Sequence, residues 1–156
     1  MVIPEYLVKN IFLIDDDLDD CSLFEQAIKE ISPDFNFSCV NSCSDIFSQI
    51  EQHTPDLIFL DINMPLKTGI DCLIEIQEHT LFKSIPIIMY SGSGYRKDIN
   101  ACYSFGAKLY FQKPPLFDDL VKSLKHILKM TWHMPNDIPS KFYDNGNYYP
   151  FEVKDL

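Results

Sequence analysis

Short apolar runs without internal alternation recur along the chain as IFLI (11–14), FSCV (37–40), LIFL (57–60), IIMY (87–90) and LYF (109–111). Each is too short for a helix, and each has the continuous apolar character of a strand buried on both faces. Between them the apolar residues change to steps of three and four. Cys21, Phe24, Ile28 and Ile31 form one such stripe, followed by Ile46, Phe47 and Ile50, by Ile70, Leu73 and Ile74, and by Ile99, Cys102 and Tyr103. After the last run comes the clearest stripe, Phe117, Leu120, Val121, Leu124, Ile127 and Leu128. The order is therefore (βα) five times. Parallel strands need crossover connections, and those are right-handed, so the pattern predicts a doubly wound α/β fold: a five-stranded parallel sheet with helices on both faces.

Gly106, after ACYSF, reads as a helix C-cap that feeds the fifth strand. From about residue 130 the alternation stops. Residues 1–130 are accordingly one domain, and residues 131–156 are an aromatic-rich C-terminal extension carrying three prolines and an Asn-Gly pair. Trp132, Phe142, Tyr143, Tyr148, Tyr149 and Phe151 make that extension too aromatic for a solvated chain. It is expected to fold back on the domain, or to extend the surface by which the domain meets partners.

Composition narrows the functions. The chain has 156 residues, and 13 Lys+Arg against 23 Asp+Glu give a formal charge of -10, which disfavours direct binding to nucleic acid. Five cysteines (Cys21, Cys39, Cys43, Cys72, Cys102) contain no CxxC, and most lie in apolar periodic segments. They read as buried free thiols in a reducing compartment. The opening MVIPEYLVKNIFLIDDD lacks a basic leader region, and Glu5, Lys9 and Asn10 interrupt its apolar run, so neither signal peptide nor membrane span is predicted. A cytoplasmic location is expected.

The first polar residues after the apolar runs share one edge of such a sheet, where open α/β folds bind ligands. Strand one is followed by Asp15, Asp16 and Asp17, strand three by Asp61, strand four by Ser91 and Gly92, and strand five by Gln112 and Lys113. Taken singly, each has a plain structural reading: Asp17 or Asp19 as a helix cap, Ser91 as another, Lys113 as a solvated charge beside Pro114 and Pro115. Taken together they form a site. Three carboxylates about 5 Å apart repel by roughly 3 kcal/mol per pair at an effective dielectric near 20, so the cluster calls for a cation. Mg²⁺, a hard ion with oxygen ligands that retains several waters, suits it and leaves a position for a phosphoryl oxygen. Lys113 and the Ser91 hydroxyl are donors for that group, and Gly92 leaves it room.

The segments FLIDDD, DLIFLDINMPLKTG, PIIMYSGS and GAKLYFQKPP, in this order over roughly residues 8–129, resemble the receiver domain of two-component response regulators. The resemblance implies a flavodoxin-like sandwich of strand order 2-1-3-4-5. It implies Asp61 as phosphoacceptor, Asp15 and Asp16 as metal ligands with Asp61, and the backbone carbonyl of Asn63 closing the metal shell. Ser91 takes the position of the switch hydroxyl, Tyr110 that of the switch aromatic and Lys113 that of the phosphate-binding lysine, with a cis peptide expected at Pro114. On modification, Ser91 is expected to move towards the phosphoryl group and Tyr110 to swing into the vacated space. The implied partners are a sensor histidine kinase or a histidine phosphotransfer protein and a downstream protein. A homodimer through the face of helix four, strand five and helix five is left open. Thr68 and Ser93 depart from the commonest family pattern, and the extension lies outside it.

Two other readings compete. Asp15-x-Asp17, with Ser91 and Lys113, imitates a phosphatase of the haloacid dehalogenase type, but that leaves Asp61 and Asn63-Met64-Pro65 without a role. A module that keeps the fold without phosphorylation is the other. On the favoured reading the chain is a stand-alone signalling domain that catalyses only its own phosphotransfer and dephosphorylation.

Overall fold

The computed structural model describes residues 5–156. Met1 to Pro4, part of the stretch read above as neither leader nor span, lie outside them. The five apolar runs become β1 (Asn10–Ile14), β2 (Asn36–Val40), β3 (Leu57–Leu60), β4 (Ile87–Ser91) and β5 (Leu109–Gln112). The intervening stripes become α1 (Leu18–Ile31), α2 (Ile46–Gln52), α3 (Gly69–Glu78), α4 (Arg96–Ser104) and α5 (Phe117–Ile127). All five strands are parallel, in the order β2-β1-β3-β4-β5.

Side chains alternate between the two faces of the sheet, and each face builds its own core. Ile11, Leu13, Leu57, Phe59, Ile88 and Phe111 pack with Phe24 and Ile28 of α1 and Leu120 and Leu124 of α5. Phe12, Ile14, Ile58, Leu60, Ile87 and Met89 pack with Ile46, Leu73, Ile76, Ile99 and Cys102 of α2, α3 and α4. This two-sided burial is why β3 and β4 read as unbroken apolar runs. Edge strand β2 is largely half-buried.

Local signals act as expected at several ends. Asp17 caps α1 by accepting hydrogen bonds from the amides of Asp19 and Asp20. Thr68 caps α3 through the amide of Asp71, which gives this departure from the family pattern a structural reason. Gly106 has φ +106°, and its amide and that of Ala107 bond back to Tyr103 and Cys102, closing α4.

Two expectations are corrected. The structure joins Cys21 to Cys39 and Cys43 to Cys72, and only Cys102 among the five is a buried free thiol. The crossovers bring residues 18 and 29 positions apart to Cα separations of 6.1 and 5.8 Å, within disulfide reach, which no linear spacing reveals. A reducing compartment therefore no longer follows from the cysteines. No cis peptide occurs among the described residues, so the Lys113–Pro114 bond is trans. Trans is the cheaper isomer by about 0.5–1 kcal/mol. The Lys113 amide already donates to the Ser91 carbonyl at 2.8 Å, which aims its side chain without a cis turn.

The extension folds back. After α5, the indole of Trp132 donates to the Ile127 carbonyl at 2.7 Å, and Trp132 and Ile138 are buried against the α1–α5 core. A hairpin, β6 (Tyr143–Asp144) and β7 (Asn147–Tyr148), turns at Asn145 and Gly146, both at positive φ as a two-residue hairpin turn requires. Tyr148 stacks on Tyr103 of α4 with ring centroids 4.4 Å apart, and its amide donates to the Asn100 side chain. Phe151 then bridges to Phe111 alongside β5 and lies against His126 of α5. The face of α4, β5 and α5 is thus covered by the chain's own tail. Among the described residues, no helix is long and apolar enough to cross a membrane.

Candidate functional site at the sheet's carboxyl edge

Ladder hydrogen bonds run one step past the strands and fix the site residues. The Asp15 amide donates to Val40, the Asp61 amide to Ile14 and the Lys113 amide to Ser91. Asp15 and Asp61 therefore leave the neighbouring strands β1 and β3, and Lys113 leaves β5 beyond β4, at the same edge of the sheet. Asp15 is fully buried and Asp61 nearly so, while Asp16 is exposed.

One carboxylate oxygen from each of Asp15, Asp16 and Asp61 can lie within 4.8 Å of the others. The donor set is all oxygen, two acids being sunk in the fold and the third open to water, which fits a hard divalent cation that keeps part of its hydration shell. Burial drives the Asp61 carboxyl up to about 6; Lys113 opposes the rise and Asp15 adds to it. The Asp15 carboxyl is raised as well, again chiefly by burial. Both shifts express the same need for a cation.

Lys113 meets part of that need. Its ammonium lies 2.9 Å from Asp15, 3.5 Å from Asp61 and 5.0 Å from the centre of the Tyr90 ring. Burial works against its charge, but hydrogen bonds to Asp20 and Asp15 outweigh that and hold it above the ordinary lysine value. The nearest partner is Asp20, at 2.7 Å. The sequence reading of the acidic cluster as Asp15, Asp16 and Asp61 omits this fourth acid. Its signal was present: Asp20 stands three residues beyond the cap Asp17, at a point where a helical side chain leans back towards the strand mouths. Tyr90, the second residue missed, could have been found as the position preceding Ser91 in β4.

Asn63 holds the Asp61 carboxylate through its amide, at 3.4 Å. Ser91 is fully buried, and its hydroxyl accepts from the Ser93 amide instead of capping α4. A β-carbon on Gly92 would meet nothing within 4 Å, so the space beside it is open. Gly69 is the glycine with a steric reason, because an added β-carbon would run into the Asp61 backbone. Tyr110 is fully buried already, with its hydroxyl donating to the Ser93 carbonyl at 2.8 Å. The Tyr110 side chain thus sits beside the Ser91–Ser93 turn, the segment that the expected switch involves. Of the phosphatase pair, Asp15 is bound by Lys113 and the Asp17 amide, and the Asp17 carboxylate is engaged as the α1 cap.

A family model described as the response regulator receiver domain matches residues 11–125. Response regulator Rcp1 of Synechocystis is 27% identical over 126 residues, covering 76% of this chain and 86% of the relative. Two-component response regulator ARR8 of Arabidopsis thaliana is 37% identical over 82 residues, covering 52% of this chain and 36% of the relative. The chain spans about a third of the length of some curated relatives it matches. Among solved structures, the Mn(2+)-bound form of Rcp1 superposes with a TM-score of 0.67 at 27% identity, covering 76% of this chain and 91% of that one. The phosphorylated cyanobacterial phytochrome response regulator RcpA gives 0.70 at 28% identity, covering 77% and 91%.

Proposed function

The chain belongs to the response regulator receiver-domain family of two-component signalling, and on that premise we propose that it accepts a phosphoryl group on Asp61 from a phosphohistidine of a sensor kinase or phosphotransfer protein. The observation that carries this reading is the buried Asp61 carboxylate, with oxygens of Asp15 and Asp16 within 4.8 Å and the Lys113 ammonium at 3.5 Å. Asp15, Asp16, Asp61 and the Asn63 carbonyl would hold Mg²⁺, which supplies charge screening for the incoming anion. The bond between the donor's imidazole nitrogen and phosphorus breaks as a bond from an Asp61 oxygen to phosphorus forms, and the imidazole leaves with the electron pair. Lys113 and the Ser91 hydroxyl then bind the phosphoryl oxygens. Hydrolysis of the acyl phosphate returns inorganic phosphate and the free carboxylate.

Output runs to a downstream protein, not to nucleic acid, in keeping with a formal charge of -10. A partner or second copy approaching the face of α4, β5 and α5 meets the tail first, so any homodimer there includes or displaces residues 143–151. The tail's backbone bonds at Tyr110 and Gln112 support it as part of the signalling surface.

Acetyl phosphate with Mg²⁺ should label Asp61 stoichiometrically by mass spectrometry, and Asp61→Asn should remove the label. Mg²⁺-independent labelling at another residue would overturn the assignment.

A further inference from the structure

Lys113 has three N–H donors and no acceptor. Three carboxylates claim them: Asp20 at 2.7 Å, Asp15 at 2.9 Å and Asp61 at 3.5 Å. The acid nearest the ammonium is thus the one outside the metal cluster. Asp20 sits in the first turn of α1, where its amide is held by the Asp17 cap, and its side chain is about one-third exposed, at 32%. We propose that Asp20 is a positioning residue for Lys113, holding the ammonium at the rim while Asp61 is unmodified and competing with the phosphoryl group for it afterwards. The inference rests on Asp61 being the phosphoacceptor.

The physical case is one of distance and burial. A phosphoryl group on Asp61 brings about one further negative charge and new acceptor oxygens to the long, 3.5 Å side of the ammonium. To reach them, Lys113 turns towards Asp61 and stretches its two short contacts, with Asp15 and Asp20. Asp15 is fully buried, whereas Asp20 at the rim is open to water, so the Asp20 contact is the one that solvent can replace. Asp20 thereby sets how strongly the modified state is held.

Asp19 provides the control, since it is adjacent, exposed and equally charged but is not among the lysine's partners. The experiment titrates the full chain with beryllofluoride in saturating Mg²⁺, followed by the amide resonances of Ser91 and Lys113. Asp20→Asn should bind this phosphoryl mimic on the order of threefold to tenfold more tightly than wild type. Asp19→Asn should stay within about twofold, because a screened charge acts weakly. Asp20→Glu, which keeps a carboxylate within reach, should return towards wild type, and in a Lys113→Met background Asp20→Asn should have no effect. Equal shifts in Asp20→Asn and Asp19→Asn, or weaker binding by Asp20→Asn, would overturn the role. If Lys113→Met binds too weakly to titrate, the contrast between the two asparagine variants decides alone. No adduct in wild type would instead sink the phosphoacceptor assignment beneath it, and this inference with it.

Discussion

The amide of Phe151 donates to the carbonyl of Tyr110 at 2.6 Å, and the Phe151 carbonyl accepts from Gln112 at 3.2 Å, so the tail pairs with β5 on either side of Phe111. Edge strand β5 is thereby paired at Phe111, which keeps the Tyr110 carbonyl and the Gln112 amide from pairing with another molecule. Tyr110 joins the tail to the site, because its amide donates to the Tyr103 hydroxyl, its carbonyl receives Phe151, and its own hydroxyl reaches Ser93.

Phe151 is 1% exposed and packs against Phe111, Phe142 and His126. Phe151→Ala should therefore cost about 3–5 kcal/mol in denaturant unfolding if the tail unfolds together with the domain. A tail that undocks separately would show a smaller loss, with fast hydrogen exchange confined to residues 143–156. Unchanged stability would contradict the packing.

Truncation after Lys129 tests what this docking does. Acetyl phosphate labelling of Asp61 should persist, since no site residue lies beyond Lys113. Stability should fall with the loss of Trp132, Ile138 and Phe151 from the core. If phosphorylation-dependent association also disappears, the tail forms part of the output surface; if association survives, its role is packing. A truncated chain equal to the full one in stability and association would rule out both.

Gly69 makes a third test. A β-carbon there would lie 2.7 Å from the Asp61 carbonyl carbon and 2.7 Å from the Ile62 Cα, and backbone cannot yield as a side chain can. Gly69→Ala should cost roughly 1–3 kcal/mol. Because the strain falls on Asp61 itself, Mg²⁺ affinity should drop alongside stability. A stable variant with normal metal binding would show that the α3 start can retreat.

The strands and the four loops bearing the site were legible because each leaves a local signature, an unbroken apolar run and then a polar residue at the strand mouth, whereas the strand order came only from the family resemblance. What stayed hidden depends on pairs far apart in the chain. The link between Cys43 and Cys72 exists only once α3 packs beside the segment before α2. Asp20 reaches Lys113 across 93 positions, a pairing that no local pattern in its acidic run signals. The trans bond at Pro114 was missed for a different reason, because family likeness supplied a conformation that this bond does not need. Of the tail's aromatics, Trp132 and Phe151 are buried while Tyr143 and Tyr149 stay exposed, and nothing in their spacing identified β5 as the strand that Phe151 covers.

The charge of the site yields the last prediction. Burial lifts the Asp61 carboxyl to about 6, against about 3.9 for an unfolded aspartate. Between those values the folded chain binds more protons than the unfolded one, so the stability of the metal-free protein falls as pH rises through about 4 to 6, and the full penalty is present above. Two pH units correspond to roughly 3 kcal/mol, an upper figure because Lys113 and the two acids titrate together. In EDTA at pH 7, Asp61→Asn should therefore be more stable than wild type by about 1–3 kcal/mol, with a flatter profile between pH 4 and 7. Mg²⁺ binds only the folded arrangement of acids, so it should raise the wild-type melting temperature with concentration and move Asp61→Asn far less. Thermal unfolding of both proteins across pH, with and without Mg²⁺, checks every sign. A metal-free Asp61→Asn that is less stable than wild type would mean that Lys113 alone neutralises the cluster and that the acids do not strain the fold.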